Sequence, residues 1–161
     1  MTTTPGATIR PAGPADMEEV RALFREYAAW LEVDLCFQGF EAELAALPGR
    51  YAPPSGRLYV AEVDGRVAGA IGLRELEPGI CEMKRLFVRD WARGRGVGRL
   101  LVERILADAR ELGYRAMRLD TLRERMAAAN AMYDELGFRD IPAYYANPVE
   151  NVRYMELDLR S

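Results

Sequence analysis

The sequence predicts an α+β sandwich, one sheet of mixed strand directions with helices on both faces, and three observations carry that reading. Two β-prone runs, Leu58 to Val63 and Val67 to Leu73, are joined by Asp64 and Gly65, a two-residue hairpin signal. A third run, Ile80 to Val88, leads through a glycine- and arginine-rich loop into a segment with apolar residues at helical spacing. Further helical and strand-like segments follow and precede this centre without a linker long enough to divide the chain. At 161 residues the length suits one core, so residues 7–161 read as a single domain and residues 1–6 as a flexible lead-in.

Taken in order, Thr8 to Arg10 is a short first strand. Met17, Val20, Leu23, Phe24, Tyr27 and Leu31 then recur at the spacing of one helix face. A break at Asp34 to Gln38 separates this helix from a shorter one through Phe40, Leu44 and Leu47, which Pro48 and Gly49 end. Pro53, Pro54 and Gly56 form a loop before the hairpin strands, which pair antiparallel. After the third strand, Val97, Leu101, Ile105 and Leu112 define a helix closed by Gly113, and Met117 to Leu119 opens another strand. Met126 to Leu136 is helical and ends at Gly137, with two last strands at Phe138 to Ile141 and Val152 to Leu159.

Composition narrows the chemistry. Half the residues are apolar and 29% are charged, the balance of a globular chain. A net charge of −3 gives no whole-domain attraction for nucleic acid, so any anion site must be local. No basic leader precedes an apolar stretch and no run approaches the length of a membrane span, which reads as a cytoplasmic protein with no membrane partner. The absence of histidine excludes a Ser-His-Asp triad and a histidine base, and removes the residue most zinc sites use, so no metal is expected. Cys36 and Cys81 lack metal-ligand spacing and read as small buried residues.

The loop RGRGVG, Arg93 to Gly98, follows a strand and opens a helix, so unpaired N–H groups converge at the positive end of the helix dipole. Gly94, Gly96 and Gly98 let backbone approach a ligand closely, while Arg93, Arg95 and Arg99 supply cationic donors. The P-loop pattern is absent, and the dinucleotide fingerprint fails in both registers, meeting Arg99 or Leu101 where its last glycine belongs.

The pattern [QR]xxGx[GA], matched by Arg93, Gly96 and Gly98 after a strand ending in LFV, resembles the coenzyme A signature of the GNAT superfamily. The later segment YDELGF, Tyr133 to Phe138, is similar to the superfamily's fourth helix and its glycine-phenylalanine ending, and the likeness spans nearly the whole chain. The resemblance implies a mostly antiparallel central sheet with a splayed coenzyme-binding strand, and an acetyl-CoA-dependent N-acetyltransferase. The acetyl group would pass from the thioester directly to a primary amine of a small molecule or peptide. Leu86, Phe87 and Val88 would pair with the pantetheine arm, the Leu86 N–H would face the thioester carbonyl, and the amides of Arg93, Gly94, Arg95, Gly96, Val97, Gly98 and Arg99 would hold the pyrophosphate.

By the same resemblance Tyr133 is the general acid for the leaving thiolate; taken alone, its spacing equally fits core packing with Ala129 and Leu136. Glu82, eleven residues before Arg93, stands where histone-acetylating members carry a catalytic base; a simple ion pair with Lys84 is the other reading. Strand alternation places Glu82, Lys84 and Leu86 on one face and Met83, Arg85 and Phe87 on the other. Many members carry a coenzyme-contacting asparagine where this chain has Met126, and Asn130 is the nearby candidate to replace it. Phe37, Gln38, Tyr144, Tyr145 and Asn147 line the acceptor region that the resemblance implies, and Lys84 and Arg85 beside them suit an acceptor with a carboxylate. The partners are thus a coenzyme A thioester and an amine, with a homodimer compatible with the family. A non-catalytic acyl-CoA-binding sensor or a partner-binding module of the same fold is the alternative.

Overall fold

The computed structural model describes residues 3–4, 6–32 and 39–160. Its centre is one sheet of eight strands among those residues: β1 (Thr3–Thr4), β2 (Ala7–Pro11), β3 (Arg57–Val63), β4 (Arg66–Glu77), β5 (Ile80–Val88), β6 (Ala116–Leu122), β7 (Arg139–Ile141) and β8 (Val152–Asp158). Their spatial order is β1-β2-β3-β4-β5-β6-β8-β7. Every neighbouring pair is antiparallel except β5 and β6. Asp64 and Gly65 both take positive φ, 52° and 77°, the backbone that a tight hairpin following the sheet's twist demands. Thr3–Thr4 pairs with Ala7 and Thr8, a short strand where the sequence suggested only a lead-in.

Four α-helices, α1 (Met17–Leu31), α2 (Phe40–Ala46), α3 (Val97–Glu111) and α4 (Ala127–Leu136), divide the apolar interior in two. On one face α1 and α2 bury Val20, Leu23, Phe24, Phe40 and Leu44 against Leu58, Val60, Ala70 and Phe87. On the other, α3 and α4 bury Val97, Leu101, Ile105 and Tyr133 against Ala61, Ile71, Met83 and Met117. Each helix contributes one apolar stripe, which is why the sheet alternates so cleanly between two cores.

Two departures from regular pairing open the site. The β5 and β6 strands pair only through Ile80, Cys81 and Glu82 against Ala116, Met117 and Arg118. Beyond that point they diverge. The β4 to β5 register also slips, Gly72 facing Lys84 but Ala70 facing Phe87, around Arg85 at φ 62°. This is a bulge, and it corrects the face assignment from alternation. Met83 lies in the α3 core and Phe87 in the α1 core, so they do not share a face. Leu86 packs with the α3 side, while Arg85 turns toward Glu43 on α2.

Candidate active site

Between the splayed strands and the N-terminus of α3 lies a cleft of about 420 Å³. One wall is the end of β5, with Leu86, Phe87 and Val88; the opposite wall is α4, with Ala128, Ala129 and Met132, and Trp30 of α1 also faces it. The third wall is the loop, through Arg93, Gly94, Gly96, Val97 and Gly98. The Arg93 N–H bonds the Asp90 carbonyl and the Leu100 N–H bonds the Gly96 carbonyl. Among the described residues the amides of Gly94 to Arg99 have no such partner. Gly96 caps α3 at φ 76°, a left-handed conformation costly for a residue with a Cβ, and offers no side chain to satisfy the helix's first N–H groups. These donors converge where the helix dipole is positive, so the cleft is built to take an anion at this end.

The arginines do less than the sequence suggested. Arg93 lines the cleft, held by its Nε on the Val88 carbonyl at 2.8 Å, by Asp90 at 2.6 Å, and over the Trp30 and Phe87 rings. Arg95 instead reaches Asp64 at 3.4 Å, and Arg99 pairs with Glu103 and Glu135. Neither side chain lines the cleft. Asn130 is also elsewhere: its amide donates to the carbonyls of Leu122 and Met126 at 3.1 and 2.7 Å, and its Oδ1 accepts from Arg153. It anchors the start of α4. Met126 is the residue that faces the cleft.

Leu86 and Met126 also belong to the wall of a second, smaller cavity of about 20 Å³, completed by Tyr27, Met83, Lys84, Arg85, Asp120 and Tyr133. The two spaces therefore meet at Leu86, on the unpaired length of β5. Tyr133 is 2% exposed, its ring packed against Phe138 with centroids 5.7 Å apart. Its hydroxyl makes no hydrogen bond among the described residues, and burial pushes its pKa far above the usual phenol value. The ring is thus part of the core, as its helical spacing allowed, and the residue also lines the small cavity.

The charged side chains of β5 are buried and paired. Glu82, 1% exposed, receives Arg74 through Nε and Nη2 at 3.0 and 2.9 Å, and the Tyr144 hydroxyl donates to its Oε2 at 2.6 Å. It does not reach either wall of the cavity. Lys84 stands 3.6 Å from Asp120 across the split, and burial lowers its pKa. Arg85 gives Nε and Nη2 to Glu43 at 3.0 and 2.9 Å. For Glu43, burial alone would raise the pKa; the Arg85 guanidinium and the Tyr51 hydroxyl outweigh it and hold the carboxyl below its usual range. Burial likewise pushes the Tyr27 hydroxyl up to about 12.

The loop after β7 folds over this cluster. Tyr144 and Tyr145, tilted against each other, each meet Tyr154 of β8 edge to face; the Tyr145 hydroxyl donates to Asp120, and Asn147 donates to the Tyr145 oxygen at 3.1 Å. Of the predicted acceptor residues, Lys84, Arg85, Tyr144, Tyr145 and Asn147 are gathered here, while Phe37 and Gln38 lie outside the described residues. Asp120 and Trp30 went unremarked in the sequence. A signal for Asp120 existed: an acid in the middle of a strand must find a cation or a ligand, and the adjoining strand carries Lys84.

Comparison with known proteins agrees with this geometry. The sequence model described as the acetyltransferase (GNAT) family matches residues 18–138. An uncharacterized N-acetyltransferase of Schizosaccharomyces pombe is 39% identical over 148 residues, covering 91% of this chain and 90% of that one. An uncharacterized N-acetyltransferase of Escherichia coli is 30% identical over 80% of this chain and 77% of its own. Among solved structures, a GNAT family acetyltransferase of Staphylococcus aureus superposes with a TM-score of 0.79 at 20% identity, over 96% of this chain and 99% of that one. A Salmonella typhimurium acetyltransferase solved with acetyl-CoA gives 0.67 at 22%, over 96% and 94%.

Proposed function

The chain belongs to the acetyltransferase (GNAT) family, and on that premise we propose that it moves an acetyl group from acetyl-CoA directly to a primary amine of a small molecule or peptide. The observation that carries this reading is that the cleft beside the glycine-rich loop and the polar cavity share Leu86, on a length of β5 that β6 does not pair. The free amides of Gly94 to Arg99 suit a pyrophosphate, and the glycines leave it room. The apolar walls and the open edge of β5 suit a slender amide-bearing arm laid beside that strand.

Acetyl-CoA supplies a thioester whose acyl carbon takes the amine and whose sulfur leaves with the electrons of the C–S bond. In this reading the Leu86 N–H steadies the charge that grows on the acyl oxygen. Tyr133, protonated at neutral pH and lining the cavity next to Leu86, gives its proton to the departing sulfur. Asp120 lines the same cavity and takes the proton that the amine must lose, while Tyr145 orients it. Glu82, the base that the family resemblance implied, is held by Arg74 and fastens the loop after β7 through the Tyr144 hydroxyl.

A thiol-release assay with acetyl-CoA over a panel of amines tests the proposal. Acceptor-dependent release supports it. Tight acetyl-CoA binding with no release from any amine would instead make the protein an acyl-CoA sensor.

A further inference from the structure

Arg85 combines three features that packing alone does not require. It occupies a left-handed backbone conformation at φ 62°, unusual for a long side chain and sustained only where the surrounding structure imposes it. It is 4% exposed in the middle of a sheet, and it lines the small cavity. Glu43 accepts from its Nε and Nη2, and its Nη1 donates no hydrogen bond among the described residues. A guanidinium carries five N–H donors in a planar fork, and its typical partner is a carboxylate.

The charges around the cavity specify more. Its walls carry two cations, Lys84 and Arg85, and one carboxylate, Asp120; Glu43 lies behind Arg85, and Glu82 and Arg74 pair with each other farther back. A bare amine arriving as an ammonium ion would add a third cation to that wall. An acceptor that brings its own carboxylate would not. The space is about that of one small polar group, so the part of the acceptor that enters it must be short.

We propose that the acceptor is a compact amino acid whose carboxylate docks on Arg85, with its amine between Asp120 and the Leu86 end of β5. The bulge is what makes this possible. It turns Arg85 toward Glu43 while leaving it on the wall of the cavity that Lys84, Leu86 and Asp120 also line, so a short acceptor suffices to meet them all. This proposal rests on the transferase reading above and deepens it.

The test compares wild-type turnover on pairs of amines that differ only in the carboxylate, an amino acid against its amide and its decarboxylated amine, with acetyl-CoA affinity measured in parallel by calorimetry. Loss of the carboxylate is expected to lower kcat/KM by about 10²-fold or more, mainly through KM. Arg85→Gln should raise KM for the amino acid by a similar factor and leave acetyl-CoA affinity unchanged, and Arg85→Lys should recover part of it. The wild-type pairs decide the matter even if a variant fails to fold. Equal or better turnover of amines without a carboxylate overturns the acceptor class and leaves the transferase intact. Bound acetyl-CoA with no release from any amine overturns both.

Discussion

The Tyr144 hydroxyl donates to Glu82 Oε2 at 2.6 Å, so a residue of the loop before β8 completes the coordination of a buried carboxylate on β5. Removing that donor leaves an oxygen of a group only 1% exposed without one of its partners. Tyr144→Phe is therefore expected to cost about 1–3 kcal/mol, read as a fall in Tm of a few degrees in thermal unfolding. An unchanged Tm would mean that water replaces the hydroxyl and that the loop is not fastened there.

The two carboxylates of the site should separate in their effects. Asp120 lines the cavity, so Asp120→Asn is expected to lower kcat by roughly 10²- to 10⁴-fold with acetyl-CoA affinity retained. Glu82 is held by Arg74 and Tyr144 behind the wall, so Glu82→Gln should act chiefly on stability. If steady-state kinetics give the large kcat effect to Glu82 and spare Asp120, the assignment of the proton acceptor is reversed.

Tyr133→Phe deletes a hydroxyl that makes no hydrogen bond among the described residues, so the fold should tolerate it without loss. Turnover should fall by roughly 10²-fold or more, with the affinity for acetyl-CoA unchanged. A variant as active as the wild type would leave Tyr133 with packing alone.

Gly98 stands in the first turn of α3, where a built Cβ would meet only Val88 Cγ2 at 3.8 Å. Glu at this position fits sterically but sets a carboxylate among the free amides. Acetyl-CoA should raise the Tm of the wild type by mass action and fail to raise that of Gly98→Glu. A preserved shift would move the pyrophosphate away from this loop.

The folded-state pKa of Glu43 lies below that of the unfolded chain. Between those two values the unfolded chain holds more protons, so stability rises with pH there; it is fully present above the ordinary carboxyl pKa and is lost as pH falls through the folded value. Urea unfolding across the acid range should show a shallower slope for Glu43→Gln than for the wild type. Identical slopes would assign the acid sensitivity to other pairs, such as Arg10 with Asp16.

Most of the fold was legible because its signals are local. The Asp64-Gly65 turn, the β5 run from Ile80 to Val88 and the capping glycines at 113 and 137 each constrain the backbone where they stand. The Arg85 bulge was not legible, since a non-glycine residue at positive φ carries no mark of its own and alternation assumes an unbroken pleat. The same blindness hid Asp120, whose ion-pair partner Lys84 stands on a strand thirty-odd residues away in the chain and 3.6 Å away in space. Asn130 misled for the opposite reason: helical spacing near Tyr133 was visible, but the backbone carbonyls that claim its amide were not.

The fork between β5 and β6 has one more consequence, for how this sheet avoids its own kind. Unpaired strand edges are templates on which other chains can aggregate. Here the outermost strands, β1 and β7, are only two and three residues long, which leaves little rim to copy. The unpaired edge of β5 from Met83 to Val88 sits instead in the middle of the sheet, flanked by β6 and walled by α4. Recessed in that way, the edge withholds its backbone groups from another polypeptide, while the slender arm proposed above is thin enough to reach them.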